Sequence, residues 1–140
     1  MEFRKIVIVE DNLAVRAMIK MVLEAKGNSV AGMASSGEDA ISLVDATNPD
    51  LILMDIWLGG DMDGIETALQ IRRFHKTPLV FITADYSEDT RKRANLANPH
   101  AYLKKPLMNE NLEQIIQSLS YNSASDVGEV DATVGILCKA

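Results

Sequence analysis

Five short apolar runs alternate with five stretches that have the pattern of helices, and this alternation restricts the fold more than any other feature. The first run is rich in β-branched residues and has polar ends, as a strand buried on both faces of a parallel sheet has. Parallel strands require right-handed crossovers that cover the faces of the sheet. We therefore expect an α/β fold with helices on both faces. The runs lie at residues 5–10, 29–34, 51–55, 78–83 and 101–103.

The stretches between the runs carry apolar residues at the spacing of amphipathic helices. The second stretch begins at Ser36 with a sequence that resembles a capping box, and Pro49 ends it because proline lacks the N–H donor. The fourth stretch, residues 87–97, is polar, and the last is capped near Asn109. The apolar stripes are Val15, Met18, Ile19, Val22 and Leu23 in the first helix, Ile65, Ala68 and Leu69 in the third, and Leu112, Ile115, Ile116 and Leu119 in the last.

The length of the chain, 140 residues with 47% apolar residues, is sufficient for one domain with its own core. From about residue 121 the composition changes to small and polar residues, followed by an apolar patch from Val134 to Cys138. We therefore expect one domain over residues 1–120 and a linker-like tail over residues 121–140.

Charge and cysteine content exclude several classes of protein. Lys and Arg total 14 against 20 for Asp and Glu, and this net charge of −6 disfavours direct binding to nucleic acid. No apolar run approaches the roughly 20 residues of a membrane span, and no signal peptide is recognisable. Cys138 is the single cysteine, so it cannot form an internal disulfide. These features predict a cytoplasmic protein without a membrane segment.

Polar residues follow four of the five predicted strands, at the edge where open α/β sheets bind ligands. Glu10 and Asp11 follow the first strand and Asp55 ends the third. Thr83 ends the fourth strand, and Lys105 comes just after the fifth. Three converging carboxylates repel one another unless one is protonated or a cation neutralises them. Since all the ligands are oxygen atoms, the sequence predicts a hard cation, Mg²⁺ before Zn²⁺.

A carboxylate, a magnesium ion, a hydroxyl and an ammonium group together are the equipment for phosphoryl transfer, with Asp55 as the nucleophile. Each residue alone also has an ordinary interpretation. Acidic residues after strands often cap helices or form turns, Thr83 suits a strand, and Lys105 suits a solvated surface. The ordered set at four strand ends favours a functional site. No glycine-rich nucleotide-binding motif is present in the sequence.

At this point the sequence resembles the receiver domain of two-component response regulators over about residues 4–120. The resemblance implies a flavodoxin-like three-layer sandwich whose five parallel strands are in the order 2-1-3-4-5. The motifs that carry it are Val7–Asp11, Asp50–Ile56, Met62–Glu66, Phe81–Ala84 and Ala101–Pro106.

The resemblance also implies roles for the acidic residues. It makes Asp55 the phosphoacceptor, and it implies that Asp11 and Asp55 bind Mg²⁺ directly while Glu10 acts through bound water. The backbone carbonyl of Trp57 would complete the shell of the metal. The loop that contains Trp57 is one residue longer than the common form in the family.

Further roles follow from the same resemblance. Thr83 and Lys105 would contact the phosphoryl group. Tyr102 corresponds to the switch aromatic, which turns inward when Thr83 moves toward the phosphate. Trp57 and Asp85 would lie at the rim of the pocket, although a single tryptophan can also simply pack over its loop.

The resemblance implies a signalling phosphoacceptor rather than an enzyme, with at most self-catalysed phosphorylation and dephosphorylation. The donor would be a sensor histidine kinase or a histidine phosphotransfer protein. The output would reach a downstream protein, through a monomer or a weak dimer that uses helix 4, strand 5 and helix 5.

Other functions remain open on sequence grounds. An aspartyl-phosphate phosphatase would use the same nucleophile and metal, but it needs a second acid where Trp57 stands. A flavin carrier of similar fold, or a receiver-shaped docking module that accepts no phosphate, would use the same scaffold without the chemistry.

Overall fold

The computed structural model describes residues 5–106, 109–121 and 136–138. Its sheet has the strand order β2-β1-β3-β4-β5-β6, in which the first five strands are parallel and β6 is antiparallel to β5. The predicted parallel order 2-1-3-4-5 is therefore confirmed. The strands are β1 (Lys5–Val9), β2 (Ser29–Ala34), β3 (Leu51–Asp55), β4 (Leu79–Thr83), β5 (Ala101–Lys104) and β6 (Ile136–Cys138). The helices are α1 (Leu13–Ala25), α2 (Gly37–Thr47), α3 (Gly64–Arg72), α4 (Glu88–Asn95) and α5 (Asn109–Tyr121).

Two apolar layers fill the space between the sheet and its helices. In β1, Val7 and Val9 belong to the layer beneath α2, α3 and α4, whereas Ile6 and Ile8 belong to the layer beneath α1 and α5. Every residue of β3 is buried, as expected for a central strand covered on both faces. Full burial of one such aliphatic side chain stabilises the fold by roughly 1.5–3 kcal/mol.

The helices begin and end at residues that satisfy free backbone groups. Asn12 caps α1 by accepting from the amide of Val15 at 3.0 Å. The cap predicted at Ser36 is confirmed, since Ser36 accepts from Asp39 N at the start of α2. At the other end of α2, Asn48 adopts the left-handed conformation (φ 47°) just before Pro49. Asparagine tolerates this conformation better than most residues.

Gly64, the first residue of α3, allows the loop after β3 to pass close to the strand. A Cβ atom at this position would collide with the backbone carbonyl of Asp55 and with Ile56. The Gly64 amide donates to the carbonyl of Ile56. The close approach fixes the backbone that carries the Asp55 side chain, and only glycine allows it.

Arg72 ties together the connections that enter β4 and β5. Its Nε donates to the carbonyl of Ala97 at 2.8 Å, and its Nη1 donates to the carbonyl of Thr77 at 2.6 Å. Both carbonyls precede a strand, so this tie lies at the amino ends of the strands. The opposite, carboxyl-end edge of the sheet is left to the polar residues described below.

Three observations differ from the sequence expectations or add to them. Met18 and Leu69, predicted in apolar stripes facing the core, are 43% and 38% exposed. The strand β6 was not predicted and falls within residues 121–140, the segment expected to be linker-like. Residues 122–135 and 139–140 of that segment lie outside the described part of the chain.

Among the described helices, none has the length and apolar character needed to cross a bilayer.

Candidate functional site

Three carboxylates converge at the carboxyl-end edge of the central strands. The register pairs Val9 with Met54, so Glu10 follows β1 beside the last residue of β3, Asp55. Oxygen atoms of Glu10, Asp11 and Asp55 all lie within 4.8 Å of one another. Glu10 and Asp55 are buried, at 2% and 5% exposure, whereas Asp11 is exposed. The convergence expected from the strand ends is therefore present.

Lys105 places its ammonium group between two of these carboxylates. Its Nζ donates to Glu10 Oε1 at 2.9 Å and to Asp55 Oδ2 at 3.3 Å. The backbone supports this position, because Lys105 N donates to the carbonyl of Thr83 at 2.9 Å. Burial acts to lower the pKa of Lys105, but the hydrogen bond to Glu10 and the charge of Asp55 outweigh it and raise the pKa. The lysine is therefore a fixed cation.

The pKa of Asp55 is raised from 3.8 to about 6. Burial is the largest cause, and the charge of Glu10 is the second. The ammonium of Lys105 opposes both effects without cancelling them. A single ammonium group thus does not neutralise the three carboxylates of the cluster, and their mutual repulsion remains.

Hydrogen bonds to the two loops hold the remaining acidic groups in place. Glu10 Oε2 accepts from the amide of Asn12 at 3.1 Å, and the Glu10 carbonyl accepts from Arg16 Nη1 at 2.8 Å. Asp11 Oδ2 accepts from the amide of Gly59 at 3.2 Å, which links the loop after β1 to the loop after β3. The cluster is therefore built by two neighbouring loops.

The donor set of the cluster fits a hard divalent cation. Glu10, Asp11 and Asp55 offer carboxylate oxygens only, which suits Mg²⁺ better than a metal that prefers nitrogen or sulfur. A divalent cation would also relieve the repulsion between Glu10 and Asp55. The role expected for the Trp57 carbonyl as a further ligand stays a prediction.

Asp85 lies two residues beyond β4, and its carboxylate accepts three hydrogen bonds. The donors are Trp57 Nε1 at 3.0 Å, Thr90 Oγ1 at 2.8 Å and the amide of Ser87 at 2.8 Å. These bonds, first among them that from the Ser87 backbone, lower the pKa of Asp85 from 3.8 to about 2. The group is therefore an anion across the whole neutral range.

The backbone of Asp85 makes two further bonds. Its amide donates to Thr83 Oγ1 at 2.9 Å, and its carbonyl accepts from the hydroxyl of Tyr102 at 3.3 Å. Tyr102 is 5% exposed, and its ring packs edge-on against Phe81 with the centroids 6.2 Å apart. Burial raises the pKa of Tyr102 to about 12, so its hydroxyl is a neutral donor.

The geometry can be compared with known protein families. A family model described as the response regulator receiver domain matches residues 6–117, which is most of the chain. The chain belongs to the response regulator receiver family. The site lies at the strand ends where the sequence placed it, and the receiver domain spans the whole of the parallel sheet from β1 to β5.

Curated relatives of this receiver domain include regulatory proteins of bacteria. The chain is 38% identical over 106 residues to the transcriptional regulatory protein YvrH of Bacillus subtilis, covering 76% of this chain and 44% of that protein. It is 34% identical over 103 residues to the transcriptional regulatory protein PdtaR of Mycobacterium tuberculosis, covering 74% and 50%. The chain thus spans half or less of the length of these relatives.

Solved structures with the same fold include a signal receiver domain and a response regulator. The signal receiver domain of a modulated diguanylate cyclase from Desulfovibrio desulfuricans G20 superposes with a TM-score of 0.80 at 33% identity, covering 86% of this chain and 95% of that one. A two-component response regulator from Clostridium difficile superposes with a TM-score of 0.81 at 29% identity, covering 87% and 99%. The receiver domain therefore has the fold of its family.

The receiver domain brings all the predicted site residues to one edge, in two connected groups. Glu10, Asp11, Asp55 and Lys105 form the acidic group at the ends of β1, β3 and β5. The second group consists of Trp57, Thr83, Asp85 and Tyr102.

Sequence reasoning placed Asp85 at the rim but did not find its partners Ser87 and Thr90. The signal that was available is Ser87 itself, since serine is a residue type that often caps the start of a helix. A capping pattern indicates a helix start, but it does not identify a carboxylate from the preceding loop as a further partner.

Proposed function

We propose that Asp55 accepts a phosphoryl group from a sensor histidine kinase or a histidine phosphotransfer protein, with Mg²⁺ held by Glu10, Asp11 and Asp55. The supporting observation is the pairing of Lys105 with the carboxylates of Glu10 and Asp55 inside the acidic cluster. An ammonium fixed beside a nucleophilic carboxylate can neutralise the oxygens of an arriving phosphoryl group.

In the transfer step, an oxygen of Asp55 attacks the phosphorus atom of a phosphohistidine. The bond from phosphorus to nitrogen breaks, the imidazole leaves, and an acyl phosphate forms on Asp55. The attack requires the ionised carboxylate. With a pKa of about 6, Asp55 is mostly ionised at neutral pH, and its proximity to Lys105 favours the charged form.

The hydroxyl of Thr83 is available as a further donor to the phosphoryl group. Its oxygen accepts from the amide of Asp85, so its own hydrogen remains free to donate. Lys105, the residue after the adjacent strand β5, supplies the second donor. The divalent cation, when bound, neutralises charge on the phosphoryl oxygens.

The experiment is a phosphorylation assay followed by intact mass. With Mg²⁺ and acetyl phosphate, we expect an adduct of about 80 Da on the wild-type protein and none on Asp55→Ala. Asp61→Ala, which removes an exposed carboxylate in the loop after β3, is the matched control and should form the adduct. A wild-type protein without an adduct, or an equal adduct on Asp55→Ala, contradicts the proposal.

The proposal also covers the surface that would contact a downstream protein and the cellular location of the domain. Phosphorylation would change contacts with a downstream protein at the surface of α4, β5 and α5, in a monomer or a weak dimer, without direct binding to nucleic acid. We include a cytoplasmic location, which the lone cysteine supports. Repeated turnover of an aryl phosphate would instead favour a phosphatase, and no binding of Mg²⁺ at millimolar concentration would favour a docking module.

A further inference from the structure

We propose that Asp85 is a positioning residue that couples the mouth of the phosphoacceptor site to the surface formed by α4 and β5. The inference rests on the proposed function of Asp55 and deepens it, because it names the residue through which the site would act on that surface. Asp85 is suited to this role because its side chain and its backbone each bond to both regions.

The first connection joins Asp85 to the mouth of the site. Trp57 is 50% exposed, so packing restrains its ring only partly. The bond from Trp57 Nε1 to Asp85 Oδ2, at 3.0 Å, spans the loops after β3 and β4. A bond to an ionised acceptor is stronger than one between neutral groups. Asp85 is therefore the residue that fixes where the indole lies.

The second connection joins the same carboxylate to the first turn of α4. Ser87 caps this helix, because its Oγ accepts from the amide of Thr90 at 3.3 Å. The Ser87 hydroxyl also donates to Thr90 Oγ1 at 2.9 Å, and Thr90 Oγ1 in turn donates to Asp85 Oδ2 at 2.8 Å. A displacement of Asp85 therefore breaks or moves the hydrogen bonds that begin α4.

The third connection runs through the backbone and does not depend on the Asp85 side chain. The amide donates to the Thr83 hydroxyl at 2.9 Å, and the carbonyl accepts from the Tyr102 hydroxyl at 3.3 Å. The bond from Tyr102, at 3.3 Å, is longer than the usual range of about 2.5–3.0 Å for a hydrogen bond between oxygens, so it is a weak bond. If the Thr83 hydroxyl moves toward Asp55, the amide that it holds must follow. The longer Tyr102 bond is then the first to be lost.

The first test uses Trp57 as a natural reporter, because it is the single tryptophan of the chain. Fluorescence is excited beyond the absorption band of tyrosine, in protein without Mg²⁺ or phosphodonor. Asp85→Ala removes the acceptor of the indole N–H and should shift the emission maximum. Tyr102→Phe should shift it in the same direction by a smaller amount, although Tyr102 forms no bond to the indole in the described structure.

Tyr86→Phe is the matched control for this test. It also removes a phenolic hydroxyl, but that hydroxyl donates to the carbonyl of Thr83 rather than to Asp85. We expect its emission to equal that of the wild type. An unchanged emission in Asp85→Ala, or in Tyr102→Phe, overturns the proposal.

The second test is a double-mutant cycle on the lifetime of the phosphorylated form. The decay of the mass adduct is followed in Trp57→Phe, Tyr102→Phe and the double variant. If Asp85 links the two residues, the effect of the double variant should depart from the product of the single effects by about threefold or more. In the control cycle with Trp57→Phe and Tyr86→Phe, the double variant should change the lifetime by the product of the two single effects.

The two tests separate failure of the inference from failure of the proposed function. If an adduct forms and the double variant of Trp57 and Tyr102 changes its lifetime by the product of the two single effects, the coupling is overturned. The phosphoacceptor role of Asp55 is then left intact. Absence of any adduct overturns the phosphoacceptor role. The fluorescence result, which requires no phosphorylation, then decides the link through Asp85 by itself.

Discussion

Asp55 ends β3 and Asp85 lies just beyond the adjacent strand β4, and their surroundings shift their pKa values in opposite directions. Asp55 is buried beside the carboxylate of Glu10 and has one ammonium partner, Lys105, at 3.3 Å. Its pKa is raised to about 6. Asp85 has no ammonium or guanidinium partner among the described contacts, yet three hydrogen bonds lower its pKa to about 2.

The difference in surroundings gives the aspartate side chain a different role at each of the two positions. Fixed neutral donors satisfy the charge of Asp85, so this anion serves to hold neighbouring groups in position. Burial beside another carboxylate leaves the charge of Asp55 only partly satisfied. A carboxylate in that condition gains from a bound cation and remains able to react, which is typical of functional sites.

The largest expected effect comes from removing the ammonium group beside Asp55. Lys105→Met should slow phosphorylation by acetyl phosphate by roughly 10²–10³-fold, the usual cost of losing one fixed group that stabilises the transition state. The measurement is the initial rate of adduct formation. Lys104→Met is the matched control, since Lys104 is exposed and contacts the ring of Tyr86 instead. Equal rates for the two variants would contradict the placement of Lys105.

The pH dependence of stability should separate the two aspartates by sign. The ionised form of Asp55 is disfavoured in the folded protein, so the wild type should lose stability as pH rises from 3.8 through about 6. In metal-free buffer, Asp55→Asn should avoid this loss and exceed the wild type by roughly 2–3 kcal/mol above pH 6. Chemical denaturation across the pH range measures the difference.

Asp85→Asn serves as the opposite arm of that experiment. The lowered pKa of Asp85 means that its contribution to stability is present above pH 3.8 and is lost as pH falls toward 2. The variant should therefore be less stable than the wild type at neutral pH, with the gap closing in acid. If both Asn variants differed from the wild type in the free energy of unfolding by the same sign at neutral pH, the contrast between the two aspartates would be wrong.

A smaller effect is expected from Mg²⁺ binding to the acidic cluster. A ligand that binds only the folded state stabilises it by RT ln(1 + [L]/Kd), so about 10 mM Mg²⁺ against a Kd of about 1 mM should add about 1.4 kcal/mol. Asp11→Asn should remove most of this gain, because it removes a ligand of the cluster. Thermal melts with and without Mg²⁺ provide the measurement. An equal shift in both proteins would exclude Asp11 as a ligand.

The smallest effect concerns the ring of Trp57 at the mouth of the site. If the ring shields the acyl phosphate from water, Trp57→Asn should shorten the lifetime of phosphorylated Asp55 by several-fold, about 1 kcal/mol in the barrier. Its 50% exposure means that the melting temperature should change little. A lower melting temperature with an unchanged lifetime would identify the ring as packing instead.

The sequence was sufficient to predict a parallel α/β sheet and the edge where the site lies. The first follows from the alternation of strands and helices with right-handed crossovers, and the second from the meeting of parallel strands at one edge. The strand order 2-1-3-4-5 was implied by the resemblance to receiver domains alone. Glu10 and Asp55 end apolar runs and Lys105 comes two residues after one, so their convergence required no knowledge of side-chain conformation.

The bonds of Asp85 could not be predicted in this way. Trp57 and Asp85 are 28 positions apart in different loops, and their bond depends on loop conformations that no periodic pattern specifies. Met18 and Leu69 have the right spacing for a buried stripe but lie at its margin. The strand β6 also went unpredicted, because three residues carry too little pattern to indicate a strand.

The strand β6 has a consequence for how this receiver domain behaves at high concentration. An edge strand with free backbone N–H and C=O groups is a template on which other chains can add strands and aggregate. The pairing of β6 with β5 occupies that edge from within the molecule, alongside Tyr102. The two edge strands of the described sheet are then β2 and β6, and β6 is three residues long, so it offers another chain few backbone groups to pair with. A chain shortened before residue 136 would leave β5 as the edge strand with its backbone groups uncovered, and it should self-associate more readily.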